Sequence, residues 1–158
     1  MTTANRNLDD IGRDAYHSIA KMTTALECNY DRLEELTDRM TDPDDTLTDD
    51  ELIEMTELLA DAGECESADA ARERIFEDPL SIEVRSAWTE LGEPLHADEY
   101  CILLTTGGPA VRITGELCDG EPRDARLQVQ DWGTPWMDYL DVEPNVLMTY
   151  VSQFYFGE

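Results

Sequence analysis

Lysine is nearly absent: Lys21 is the single lysine in 158 residues, and the other ten bases are arginines. Against 37 acids they leave a formal charge of -26 at pH 7, about what 13 base pairs of duplex DNA carry on their phosphates. A chain this negative repels nucleic acid, which excludes direct DNA or RNA binding through phosphate contacts. Bases are missing altogether between Arg39 and Arg72, a stretch that holds twelve carboxylates. The preference for arginine fits a GC-rich genome, a halophilic host, or selection against flexible cations on an acidic face, and composition does not separate the three.

Other absences narrow the field further. No run approaches 18 uninterrupted apolar residues, so no membrane-spanning helix is expected. The opening MTTANRNLDDIGRD lacks the basic start and apolar core of a signal peptide. Cys28, Cys65, Cys101 and Cys118 share no CxxC spacing, which excludes a zinc knuckle, favours buried thiols and points to a reduced, cytoplasmic setting. Only His17 and His96 could serve as imidazole bases, and both read as ordinary surface residues. No enzyme activity, metal or cofactor is expected.

What is present is enough to fold. Hydrophobic residues make up 41% of the chain and recur regularly, which argues against disorder despite the charge. From Leu8 to Met40 apolar residues return every three or four positions, predicting one long amphipathic helix of about 50 Å. Gly12 is its one weak point, and Ile19, Met22, Leu26, Asn29, Leu33, Leu36 and Met40 follow a heptad that could fold back on a neighbour or pair two chains into a homodimer. Asp42 and Pro43 end it. Thr48 with Glu51 forms a capping box for a second helix running to Gly63, with Leu52, Met55 and Leu59 as its apolar face. Ser67 caps a third helix ending near Phe76.

Beyond Pro79 the period changes to two. Ile82 to Trp88, Tyr100 to Thr106, Val111 to Leu117 and Ala125 to Gln130 read as four strands, joined by turns at Gly107–Pro109 and Asp119–Gly120. A last helix starts at Pro144 and runs from Val146 to Phe154. The expected class is α+β: acidic helices over residues 1–78, then a four-stranded antiparallel meander with a C-terminal helix over 79–158.

Three motifs fail on inspection. Asp42, Asp44, Thr46, Thr48 and Asp50 alternate as in a calcium loop, but Leu47 stands where the turn needs Gly and Ile53 where a bidentate Glu is required. Gly107–Pro109 lacks the Lys and helix of a phosphate-binding loop. Trp88, Trp132 and Trp136 could stack bases, but on so acidic a chain they read as core and rim aromatics.

The acids themselves carry the functional signal. Glu27, Asp31, Glu35 and Asp38, then Asp50, Glu54, Glu57 and Asp61, sit three or four residues apart and so line helix faces, with Asp42, Asp44, Asp45, Asp49 and Glu51 in and around the turn between them. Steps along such a stripe are about 4.5–6 Å, the order of phosphate spacing on a nucleic-acid strand. A solvated acidic face is the commoner fate of a charge run, but here no base on the second helix offsets its stripe.

The stretches Thr106–Ile113 (TGGPAVRI), Gln130–Trp136 (QDWGTPW) and Gln153–Glu158 (QFYFGE) resemble a family of small acidic proteins encoded by phages and other mobile elements. The resemblance covers residues 78–158 best and transfers no catalytic residue. It implies a bacterial host and a role in blocking host defence, as anti-restriction or anti-CRISPR proteins do. The expectation is then a nucleic-acid mimic whose acidic helices enter the positively charged channel of a defence protein. The alternative is an acidic chaperone or adaptor for a basic or aggregation-prone partner, dimerising through Ile19 to Met40.

Overall fold

The computed structural model describes residues 3–157, with side chains from Leu8 onward. The elements are α1 (Thr3–Glu27), α2 (Tyr30–Thr41), α3 (Asp49–Ala62), α4 (Ala68–Glu77), β1 (Ser81–Arg85), β2 (Glu99–Thr105), β3 (Ala110–Cys118), β4 (Glu121–Pro122), β5 (Arg126–Gln130), β6 (Met137–Asp138) and α5 (Pro144–Val151). The class is α+β, with helices first, an antiparallel sheet and a C-terminal helix. Among the described residues no helix is long and apolar enough to cross a membrane. The chain divides into two compact units: residues up to Ala20 with those from Ile75 onward, and Lys21–Arg74.

In the first unit the sheet runs β1-β2-β3-β5-β6, with β4 pairing only β3. Of the four longer strands, β2, β3 and β5 lie where the sequence pattern placed them, whereas β1 ends at Arg85, short of the expected Trp88. The two-residue β4 and β6 are additions, too short for any period to reveal. Cross-strand register puts Ile82, Ile102, Ile113 and Leu127 in one row on the core face. The neighbouring row is Val84, Tyr100 and Gly115, and at Gly115 the missing side chain is what lets the buried Tyr100 lie flat and donate from its hydroxyl to Asp124 C=O at 2.6 Å. The C-terminal segment covers this face: the Phe156 ring is 4.8 Å from Tyr100, and Leu147, Tyr150 and Val151 are fully buried. Tyr150 also donates to Asp78 Oδ2 at 2.6 Å, and burial with that carboxylate neighbour pushes its pKa far up, so it stays a donor. The last helix is shorter than expected, ending at Val151, after which turns carry the chain to Phe154.

The helix boundary at residue 78 is not where the units divide. Early α1 joins the sheet because the Tyr139 ring packs on Gly12, where a Cβ would lie 2.5 Å from it, and Glu143 N–H donates to the Tyr16 hydroxyl at 3.1 Å. Gly12 is thus a close-packing site inside an unbroken helix.

The predicted single helix from Leu8 to Met40 is two helices. The break falls at Cys28 and Asn29, where Asn29 Oδ1 accepts Arg32 N–H at 3.1 Å and caps α2. The heptad ran straight through this residue, but a short amide side chain satisfies the free N–H groups of a new helix better than it fills a seam. In the second unit α2 and α3 form a helical hairpin around Leu36, Leu47 and Met55, with Leu33 and Leu58 against them. This uses the heptad residues Leu33 and Leu36 internally. The capping box is present: Glu51 N–H donates to Thr48 Oγ1 at 3.1 Å and Thr48 N–H to Glu51 Oε1 at 3.2 Å. The face of α3 differs from the expected one, because Met55 and Ala62 are buried while Leu52, Ile53 and Leu59 are exposed.

Replacing Gly115 with Ala drives a Cβ into the Asp124 carbonyl and to 2.7 Å from Tyr100. Overpacking of this kind costs about 1–3 kcal/mol. At about 2–4 °C per kcal/mol for a chain this size, a thermal melt followed by circular dichroism should show the midpoint fall by several degrees. An unchanged midpoint would mean that β3 can move away from Tyr100 freely.

Candidate partner-binding surface

Two arginines organise the acidic hairpin. Arg32 and Arg39 are seven residues apart on α2, two helical turns, and therefore share a face. Arg32 donates to both carboxylate oxygens of Glu54, at 2.9 and 3.0 Å, and reaches Glu35 at 3.1 Å. Arg39 pairs with Asp45 at 3.0 Å and with Glu51. Bidentate guanidinium pairs are the strong members of their class, and these join α2 to α3 and to the turn between them. They also set which side of α3 faces inward. Glu51, Glu54, Met55 and Leu58 lie on one side, so drawing Glu51 and Glu54 to the arginines rotates Leu52 and Leu59 away from α2.

The electrostatic consequence follows. Arg39 holds the carboxyls of Asp45 and Glu51 below the usual range, and Arg32 does the same to Glu54. Between Tyr30 and Ala71 these are the only two bases, and both are taken up inside the hairpin. Asp31, Asp38, Asp42, Asp44, Asp49, Asp50, Glu57 and Asp61 are exposed. Asp42 additionally accepts Asp44 N–H at 2.9 Å, which stiffens the turn. Asp49 and Asp50 sit in the first turn of α3, where the helix dipole favours negative charge and lowers the cost of crowding them.

Of the thirteen acids singled out by spacing, four (Glu35, Asp45, Glu51 and Glu54) are therefore committed to internal pairs. Asp31, Glu35 and Asp38 keep their stripe on α2, whereas Glu27 ends α1 across the Asn29 break and does not belong to it. Asp50, Glu57 and Asp61 remain a stripe on α3. Acid spacing alone does not single out Arg32 and Arg39, although their seven-residue separation opposite Glu51 and Glu54 is the signal of the pairing.

The open face of the sheet is chemically different. Arg85, Arg112 and Arg126 line a cavity of about 390 Å³ together with Glu83, Glu99, Thr114 and Gln128. Arg112 lies 4.1 Å from the Trp136 ring centroid, a cation–π distance, and donates through Nε to Gln128 Oε1 at 2.8 Å. Gln128 in turn donates to Asp138 at 2.8 Å. Trp136 is thus half-buried over an arginine, while Trp88 and Trp132 are exposed, so none of the three is a core residue. The expected burial of the thiols also fails: Cys28, Cys65 and Cys101 are half-buried and Cys118 is exposed. His17 and His96 are exposed, and among the described residues no three His, Cys, Asp or Glu side chains are placed to hold a metal.

The lowered carboxyl pKa values fix a sign. Their stabilisation is present above the ordinary carboxylate range of about 4 and is lost as pH falls through the depressed values. Repulsion among the unpaired acids acts oppositely and eases as they take up protons. Melting midpoints measured from pH 7 downward should rise toward about pH 5 and then fall below about pH 4. In the Arg32→Gln/Arg39→Gln variant the low-pH fall should flatten; a wild-type midpoint still rising at pH 2 would mean the pairs contribute nothing. No family model, curated protein or solved structure matches this chain.

Proposed function

We propose that this is a non-enzymatic binding protein whose acidic hairpin occupies a positively charged, nucleic-acid-binding surface on a partner protein. The carboxylates take the place of backbone phosphates. The single observation that carries the reading is the inward use of Arg32 and Arg39, which leaves the exposed side chains of α2 and α3 without a free base. A carboxylate fits the same guanidinium fork as a phosphate oxygen pair. A concentrated negative field also speeds encounter with a basic groove and makes it salt-sensitive. With the resemblance to mobile-element proteins, the partner class is a host defence protein that grips nucleic acid, such as a restriction enzyme or a CRISPR effector, in the bacterial cytoplasm.

One observation favours the second reading, an acidic chaperone or adaptor. Leu52, Ile53 and Leu59 are exposed beside the α3 acids, a surface that an aggregation-prone basic partner could cover. Dimerisation through the heptad is no part of it, since that seam is interrupted at Asn29 and filled within the hairpin.

The test is displacement of a fluorescent DNA duplex from a panel of restriction enzymes and CRISPR effectors at about 0.05 M and about 0.5 M salt. Mimicry predicts displacement at low salt that fades at high salt, with no binding of the duplex by this protein alone. Neutralising Asp38, Asp42, Asp50, Glu57 and Asp61 to their amides should weaken it about tenfold or more, taking about 0.2–1 kcal/mol per exposed pair. Neutralising Glu90, Glu93 and Glu121 should not. Displacement that survives the first set but is lost in Leu52→Ser/Leu59→Ser would favour the chaperone reading, and no displacement from any member would remove mimicry of this partner class.

A further inference from the structure

The sheet carries an unprotected edge. Among the described residues β1 pairs only with β2, and four of its five residues are exposed. Natural edge strands are normally blunted by a bulge, a proline or an inward charge, or are covered. This one instead presents Ile82 and Val84 at 40 and 47% exposure, with Leu80 just before the strand at 60% and Trp88 three residues after it fully exposed. A tryptophan wholly in water is unusual even for a surface aromatic.

The backbone groups on that edge can be identified. Arg85 C=O accepts Asp98 N–H at 2.9 Å, and Ala87 N–H donates to the Asp98 carboxylate at 2.7 Å. Odd-numbered residues therefore turn their backbone toward β2, and by alternation Ile82, Val84 and Ser86 turn theirs to the free edge. At the start of the strand Leu80 N–H shares the Leu103 carbonyl, which lies opposite Ser81.

We infer that β1 pairs antiparallel with β1 of a second copy of this chain, centred on Val84, to make one continuous sheet across a two-fold axis. In this register Val84 of each copy exchanges both hydrogen bonds with the other, and Ile82 lies opposite Ser86. On the opposite face Glu83 meets Arg85, twice, in the closer, non-hydrogen-bonded type of pair. Arg85 already holds Glu99 on its own β2, so each guanidinium bridges two carboxylates. Charge selects the register: a centre one residue to either side sets Glu83 or Arg85 against its own copy, which is destabilising. The interface is isologous and closed, as two-fold contacts require. It is independent of the acidic hairpin and of the function proposed for it.

Two chains of -26 repel, so the dimer should strengthen when salt screens the long-range term. The experiment is sedimentation equilibrium on the full chain at low salt and at about 0.5 M salt. The wild type should show a dimer whose fraction grows with concentration and salt. Val84→Pro removes an N–H that faces away from β2, so it should give a monomer with unchanged circular dichroism; prolines are tolerated at such edge positions. Glu83→Arg and Arg85→Glu should each be monomeric alone, yet form a heterodimer when mixed, because the mixture restores both opposite-charge pairs. That recovery also shows that both variants fold. A wild type that stays monomeric at every concentration and salt, or a dimer that survives Val84→Pro, overturns the inference.

Discussion

Two guanidinium groups have to neutralise carboxylates from the inside before the acidic helices can stand side by side. The unit from Lys21 to Arg74 holds eighteen acids and five bases, and like charges three or four residues apart each cost a helix a few tenths of a kcal/mol. Arg32 and Arg39 answer this from between the helices, holding Glu54, Asp45 and Glu51 where solvent screens them less than on the outer surface. Their position decides the rotation of α3, which residues fill the small core of Leu36, Leu47 and Met55, and which acids are left to face outward. Core and charged surface are thus two results of one arrangement.

The sheet unit solves a different problem. Its core rests on rows of large side chains in register, closed by aromatic contacts from Phe156 to Tyr100 and from Phe154 to Phe76 and Tyr150. Its polar face mixes signs within single rows: Arg85 beside Glu99, and Arg112, Gln128 and Asp138 in sequence across three strands. Opposite charges on facing strands stabilise a sheet, so this unit does not accumulate a one-signed surface there. The contrast between the units lies in charge pattern as much as in secondary structure.

How legible this was depends on the range of the interaction. Strands with two-residue alternation, the Thr48 capping box, the Ser67 cap and the Gly107 and Asp119–Gly120 turns all depend on neighbours a few residues away, and each is where local chemistry put it. The Asn29 break was hidden because a heptad pattern and an N-cap give opposite instructions at that residue, and the cap prevailed. The exposed Leu52 and Leu59 were hidden because apolar spacing alone predicts the buried face, whereas ion pairs reaching from residues 32 and 39 to residues 45–54 overrode it. For the site, the acids were visible in full, but their division into paired and unpaired sets needed the α2–α3 register. The allegiance of early α1 to the sheet depended on Tyr139 and Glu143, more than a hundred residues away.

Charge pattern also determines what each surface can meet. A second copy of the hairpin would set carboxylate against carboxylate, since Asp50, Glu57 and Asp61 have no exposed base among them to offer, and the repulsion would extend over about a Debye length of 8–10 Å at ordinary salt. This self-repulsion is why the partner proposed for the hairpin is something unlike itself, a surface rich in arginine and lysine. The β1 edge is the opposite case: Glu83 and Arg85, two residues apart on one strand, are complementary to their own sequence reversed, and antiparallel pairing about a two-fold axis performs that reversal. On the readings proposed above, the two surfaces thus call for different partners, one basic and one a second copy of this chain.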